Sequence, residues 1–366
     1  MHTAKHDRPV RYALIGFGGI AENRISREGF CLDRRRFRPH PNAVLVGATD
    51  QNRSRRAAAE ALGLRWYDGV EALLRDPEVQ AVFVATDNLS HAPLAEKALK
   101  AGKHCLVEKP LATRLEDARK LSAMARRQGL SLGVDHMMVH NVYSARAVDL
   151  VRAGEIGEVN DITLHMEFLY GATEEERSSW RCARPEELGG PLGDVGSHCL
   201  YMAEHLLGSR IRSLACVYLP VTLPLAVENG AFVQFETENG VQGSARVAFN
   251  QPRGGAGGTL TNLGYEIYGS RGVLRGYGTL FQLSGYSDEP VALRLELDRF
   301  RRVEPVRVKR IANVYQLLIE EHARSILEGR PLDGEDGLHN LELVLKCHAS
   351  ARAKGKRLTL KSPSLR

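Results

Sequence analysis

The run Val10–Ile15 leads directly into Gly16-Phe17-Gly18-Gly19-Ile20-Ala21. A strand, a glycine turn and a helix opening in that order restrict the N-terminal third to a doubly wound parallel sheet. Gly16 permits the tight turn, Gly18 lets the backbone approach a pyrophosphate with no Cβ between, and Ala21 keeps the helix close to the sheet. The helix N terminus adds partial positive charge, which suits a phosphate. Phe17, Gly19 and Ile20 complete the turn and count with it as dinucleotide contacts.

The pattern then repeats. Ala43–Thr49 reads as a second strand closed by Asp50, and Ser54–Leu62 as a helix stopped at Gly63. Val70–Leu74 reads as a short helix, Val79–Thr86 and His104–Val107 as strands, and Pro93–Ala101 as the helix between them. Leu115–Arg127 is a helix with Gly129 as its stop, and Leu130–Val134 a further strand. After a helix near Ser144–Ala153 the texture changes. Ile162, Leu164, Met166 and Phe168 alternate with period two, the mark of a half-buried antiparallel strand. Ala231–Phe249 reads as a hairpin about Glu238-Asn239-Gly240, with strands at Tyr265–Tyr268 and Gly272–Gly276 and a glycine-rich loop at Arg253–Gly258. Helices return from Asn313 to Glu328 and from Gly334 to Arg352. A chain of 366 residues exceeds the usual single core. The expected division is residues 1–135, a Rossmann NAD(P)-binding domain in an α/β protein, and residues 136–366, an α+β domain.

Composition narrows the partners. The net charge of +6 sits largely in short clusters, Arg34-Arg35-Arg36 and Arg299, Arg301 and Arg302. Phe300 is the single aromatic among the latter, too little for a nucleic-acid surface. Solvated charge, or attraction of an anionic cofactor, accounts for these arginines better. Six scattered cysteines without paired spacing point to free thiols in a reducing compartment, and no Cys/His group has metal-ligand spacing. Met1–Pro9 is polar and no run reaches the ~18–20 apolar residues of a membrane span, so a cytoplasmic protein without membrane or nucleic-acid partners is expected.

Three groups carry chemistry. Asp50, closing its strand, is placed to accept hydrogen bonds from the adenine-side ribose; a carboxylate there repels a 2′-phosphate and favours NAD over NADP. Arg53, Arg55 and Arg56 keep NADP open as the lesser alternative. The insertion Cys31–Asn42 stretches the gap to Asp50 beyond the usual ~20 residues. Glu108-Lys109-Pro110 ends a parallel strand, at the sheet edge where ligands bind. Pro110 keeps Lys109 out of the helical region, and a lysine there stabilises a developing alkoxide. Asp194 and His198 are four residues apart, a spacing that puts both on one helical face. His198 exchanges a hydroxyl proton as hydride leaves carbon, and Asp194 bonds a substrate hydroxyl or steadies the imidazole. Gly189, Gly190 and Gly193 let backbone pass near a substrate ring. Singly, these segments read as a surface turn, a surface lysine, a capping aspartate and a core histidine. Their order and company favour catalysis.

At this point the sequence resembles the glucose–fructose oxidoreductase / inositol dehydrogenase (Gfo/Idh/MocA) family. The matching segments are GFGGIA, Asp50, Asn88-Leu89-Ser90-His91, Ala101-Gly102-Lys103-His104 leading to Glu108-Lys109-Pro110, Ala153-Gly154-Glu155-Ile156-Gly157, Trp180-Arg181, Gly189–His198, Ile267-Tyr268-Gly269 and Glu328-Gly329-Arg330. The resemblance implies that the second domain carries a large open, mainly antiparallel sheet through which homodimers or homotetramers form, with a nicotinamide bound at the domain cleft. It implies Lys109, Asp194 and His198 as the catalytic group, and a cis peptide at Lys109-Pro110. Thr86, Asn88, His91, Glu108 and Lys109 join the cofactor contacts; Trp180, Arg181 and Tyr201 join Lys109, Asp194 and His198 around the substrate. Two departures stand out: Asp87 where many relatives carry proline, and Tyr201 where they carry an aspartate. Tyr201 therefore lines the sugar pocket or serves as a second, phenolic acid. The expected activity is hydride transfer between NAD and a ring hydroxyl or ketone of a sugar, cyclitol or glycoside. An enzyme that recycles tightly bound NAD during elimination or epimerisation, and a non-catalytic nucleotide-binding sensor, are the alternatives.

Overall fold

Apolar residues that face helices on both sides make Val10–Ile15 the centre of the first sheet: Tyr12, Ala13 and Leu14 are fully buried, as are Val82, Phe83 and Val84 beside them. The computed structural model describes residues 9–251, 263–278, 286, 293–308 and 310–360; Arg253–Gly258 lies outside the described residues. One unit comprises the chain to Met137 together with Asn313–Leu341, the other Met138–Ala312 with the chain from Glu342.

The first unit is built on six parallel strands, β1 (Val10–Ile15), β2 (Ala43–Thr49), β3 (Arg65–Trp66), β4 (Ala81–Val84), β5 (His104–Val107) and β6 (Leu132–Val134), in the order β3-β2-β1-β4-β5-β6. Gly63 and Gly129 end helices with positive φ, as their positions suggest. The helix expected from Pro93 starts earlier and spans Asn88–Lys100. The Asp87 side chain accepts from the Ser90 amide, so its cap, rather than the proline, fixes the start. Edge residues drop out of two strands: Val79–Thr86 narrows to β4 and Leu130–Val134 to β6.

The basic insertion Cys31–Asn42 connects the C terminus of the helix Ala21–Gly29 to the start of β2, the end of the sheet opposite the glycine turn. Cys31 and Phe37 are buried, and the Gln316 side-chain amide donates to Glu28 O and Cys31 Sγ, both at 3.2 Å. The insertion thus helps hold the helix Val314–Leu327, which returns to the first unit. Asn313 caps that helix, accepting from Tyr315 N at 2.9 Å and Gln316 N at 3.2 Å while donating to Glu28 Oε2 at 2.9 Å. Deeper in, His322 Nδ1 meets the Tyr12 hydroxyl at 2.7 Å. Burial pushes His322 down to about 3, so this core pair is neutral.

The second unit carries a nine-stranded sheet of order β14-β13-β12-β11-β7-β10-β9-β8-β15. Its strands are β7 (Val159–Glu167), β8 (Ile211–Tyr218), β9 (Gly230–Thr237), β10 (Gln242–Ala248), β11 (Leu263–Gly269), β12 (Gly272–Tyr277), β13 (Arg294–Asp298), β14 (Val303–Val306) and β15 (Leu358–Thr359). The hairpin β9–β10 forms as its alternation predicts, with Gly240 at φ +86° in the turn. β7 lies at the centre of this mainly antiparallel sheet. It pairs antiparallel with β11 but parallel with β10, because the intervening hairpin returns to its other edge. The sheet is mixed and mostly antiparallel.

Asn313→Ala removes a buried cap and a tie to Glu28 together. We expect a loss of ~1–3 kcal/mol in chemical denaturation, whereas an exposed cap elsewhere would cost less. Wild-type stability in this variant would show that the returning helix is held by packing alone.

Candidate active site

The C-terminal edge of the parallel sheet gathers the expected cofactor residues. The chain leaves β1 through Gly16, at φ +93°, and a Cβ there would lie 2.5 Å from Ala85 O and 2.8 Å from Thr86 Cγ2. Glycine is obligatory where these two loops meet. Gly18 and Gly19 differ: a Cβ at either would meet no protein atom within 4 Å. That open backbone, before the helix Ala21–Gly29, fits the pyrophosphate of a dinucleotide. This helix is wound with wide i→i+5 bonds, including Phe30 N to Ile25 O at 2.7 Å. Phe17 is turned inward: its ring is fully buried and its amide donates to Asp50 Oδ2 at 2.6 Å. Asp50 Oδ1 accepts from Asn52 N at 2.7 Å. Each carboxylate oxygen retains acceptor capacity for a ribose hydroxyl. Of the three arginines near a 2′-phosphate position, Arg55 is tied to Phe17 O and Glu22, and Arg56 to Glu60. Arg53 is exposed.

Glu108 and Lys109 follow β5, and the Lys109-Pro110 peptide is cis. The Lys109 amide donates to Glu108 Oε2 at 3.2 Å. His91 is fully buried, with Nδ1 2.8 Å from Pro110 O and Nε2 3.3 Å from Thr86 O. Burial lowers its pKa. With its pKa lowered the ring is neutral and has one N–H to give, and the shorter contact to Pro110 O takes it, so His91 ties its helix to the turn after β5. Asn88 is also buried, in the first turn of its helix. Sequence reasoning passed over Asp135, the residue directly after β6. It is fully buried, beside Glu108, and burial followed by that neighbouring carboxyl pushes its pKa well up. An acid closing a buried strand, as at Asp50, was the available signal.

In the second unit the segment Leu192–Gly196 opens as a wide π-turn into the helix Ser197–Leu207. Asp194 lies in the π-turn, and His198 and Tyr201 in the helix. His198 is buried, and its Nδ1 is 2.6 Å from the Tyr201 hydroxyl. Tyr201, itself buried, is thus the partner of the imidazole. Asp194 Oδ2 pairs with Arg181 Nε at 3.3 Å, and the Arg181 guanidinium lies 4.4 Å from the Trp180 ring centroid. Trp180, Arg181 and Asp194 thus form one run of contacts, and His198 and Tyr201 a second on the helix that follows Asp194. The preceding glycines serve protein packing rather than a substrate ring. A Cβ at Gly189 would fall 2.6 Å from Arg181 O, and one at Gly190 2.5 Å from Glu228 Oε1. Glu228 was not singled out from sequence, which carries no signal for it; its Oε1 accepts from Leu192 N at 2.9 Å and fixes the entry of the π-turn.

Among the described residues no group of three or more His, Cys, Asp or Glu is arranged to hold a metal ion, and no helix is long and apolar enough to cross a membrane. The six cysteines are buried and free of disulfides.

Comparison with known proteins agrees with this architecture. Residues 10–136 match the model of the oxidoreductase family with an NAD-binding Rossmann fold, GFO/IDH/MocA, and residues 144–275 match the GFO/IDH/MocA C-terminal domain. A dTDP-3,4-didehydro-2,6-dideoxy-alpha-D-glucose 3-reductase of Streptomyces violaceoruber is 31% identical over 279 residues, 74% of this chain and 75% of that protein. The inositol dehydrogenase homolog of Azotobacter vinelandii, complexed with NAD+, superposes with a TM-score of 0.78 at 22% identity, covering 98% of this chain and 100% of its own. A 3-ketoreductase from Actinomadura kijaniata, in complex with TDP-benzene and NADP, gives 0.75 at 24% identity, covering 94% and 97%. The chain belongs to the Gfo/Idh/MocA family and is an NAD(P)-binding oxidoreductase.

Burial raises the Glu228 carboxyl to about 7 against the opposing pull of the Leu192 amide. A carboxyl whose folded value lies above its ordinary 4.5 binds its proton more tightly when folded, so that stability is present at low pH and lost as pH rises through about 7. We expect unfolding free energy to fall by ~1–3 kcal/mol from this group across that window. Glu228→Gln keeps an acceptor for Leu192 N and should abolish this component. An unchanged pH profile in the variant would contradict the assignment.

Proposed function

We propose that the chain transfers a hydride between NAD and a ring hydroxyl or ketone of a sugar, cyclitol or glycoside. The observation that carries this reading is the buried His198 imidazole, held through Nδ1 by Tyr201 on the helix whose entry bears Asp194. An imidazole fixed in this way has no freedom to turn, which suits directional proton transfer at Nε2. When bound, the nicotinamide supplies hydride exchange at carbon. His198 takes the hydroxyl proton in oxidation and returns it in reduction. Lys109 steadies the charge that builds on the reacting oxygen. Asp194, itself oriented by Arg181, positions a substrate hydroxyl. Tyr201 acts through His198, a neutral phenol standing where relatives carry a carboxylate.

NAD is favoured over NADP because Asp50 stands at the ribose end of β2 and because Arg55 and Arg56 are engaged with glutamates. Sugar-nucleotide and inositol chemistry among the similar proteins supports the substrate class. Six buried, unpaired cysteines suit the cytoplasm. The partly exposed Val217 and Tyr218 of β8 suit a homodimer or homotetramer formed through the large sheet.

His198→Ala should lower kcat by ~10²–10⁴ on any polyol or glycoside that yields NADH, with cofactor affinity by fluorescence titration unchanged. Near-wild-type turnover would refute its role. Initial rates with the two cofactors should favour NAD; a preference for NADP above roughly tenfold would overturn the Asp50 argument.

A further inference from the structure

Asp135 takes no part in the reaction derived above, yet it is the most deeply enclosed acid on the cofactor edge. β5 and β6 run parallel with Val107 opposite Val134, so Glu108 and Asp135 leave their strands side by side. Both backbones are pinned: Asp135 N donates to Val107 O at 2.8 Å and Glu108 N to Val84 O at 2.9 Å. Asp135 Oδ1 accepts from Met137 N at 3.2 Å, but no donor reaches the buried Oδ2. Its neighbour across the strand pair is Glu108, whose carboxyl acts on it. Two acceptors cannot bond each other unless a proton lies between them, and two like charges at such range cannot both persist in a buried setting. Among the charged groups acting on Asp135 are Glu108 and, with opposite sign, Lys109; Lys109 also acts on His91 across the same edge.

We propose that Asp135 and Glu108 share one proton, and that the single negative charge retained by the pair fixes the Lys109 ammonium in place. Asp135 is then a positioning residue for the lysine. Without the shared proton, either a doubly charged pair or an unpaired buried carboxyl would abut Lys109, and both are costly. The positioning claim rests on the reading of Lys109 given above; the proton sharing does not.

Infrared difference spectra of the whole enzyme at neutral pH test the pair without any substrate. Wild type should show the carbonyl stretch of a protonated carboxylic acid that is lost both in Asp135→Asn and in Glu108→Gln; Glu228 contributes equally to all three and cancels. Full retention of that band in either variant overturns the shared proton. Kinetics test the positioning. Asp135→Ala should lower kcat by roughly tenfold to 10²-fold and alter the pH profile while leaving KM for NAD unchanged. Asp135→Asn, which still donates to Glu108 and leaves one negative charge, should restore most of the rate. An Asp135→Ala enzyme with wild-type kcat and pH profile refutes the positioning role. If Asp135→Ala does not fold, a kcat for Asp135→Asn as low as that of Lys109→Met does the same. Lys109→Met separates the two readings: full turnover there would remove the lysine from the reaction, and the positioning claim with it, while the infrared band would be untouched.

Discussion

The reversal of strand order between β1 and β4 is the constraint from which the first unit follows. From β1 the chain winds outward through β2 and β3; from β4 it winds the other way through β5 and β6. Connections therefore diverge at the C-terminal ends of β1 and β4, the position where open α/β sheets receive ligands. Gly16 sits there against Ala85 and Thr86 with no room for a Cβ. Several other candidates on this edge follow a parallel strand closely: Asp50 after β2, Thr86 after β4, Glu108 and Lys109 after β5, Asp135 after β6. The edge is assembled by register, and its side chains inherit their positions from strand ends.

On the proposals above, each unit sets its basic group with the help of a buried acid. In the first, Glu108 and Asp135 stand side by side at the ends of β5 and β6, next to Lys109 along the chain. In the second, Glu228 grips the Leu192 amide and thereby fixes the π-turn that carries Asp194 and leads to His198. Buried carboxyls are costly when ionised and exacting in geometry when satisfied. Their use beside reactive groups trades some stability for fixed orientation. Tyr201 serves the same end with a neutral group, holding His198 through one ring nitrogen.

Local features were readable in the sequence, and features set by distant pairing were not. The strand–glycine–helix order of Val10–Ala21, the stops at Gly63 and Gly129 and the hairpin at Glu238–Gly240 depend on neighbours within a few residues, and alternation or φ preference reveals them. The family and the Rossmann sheet followed from such segments. The parallel pairing of β7 with β10 was hidden because strand periodicity does not encode the partner's direction. The return of Asn313–Leu341 to the first unit was hidden because Tyr12 and His322 are over three hundred residues apart and each alone is an ordinary core residue. Gly189 and Gly190 read as passing near a substrate ring; that Arg181 and Glu228 crowd them required the fold. His91 stood out by its motif, which could not show that its ring meets Pro110 O across the fold.

The central proposal is that Lys109 and His198 serve one hydroxyl of the substrate. A crystal structure of the enzyme with a nicotinamide cofactor and a polyol that it oxidises tests this most directly. The account predicts Lys109 Nζ and His198 Nε2 both within hydrogen-bonding distance of the same hydroxyl, on the carbon facing the nicotinamide. A complex in which either group is remote from that oxygen would contradict it.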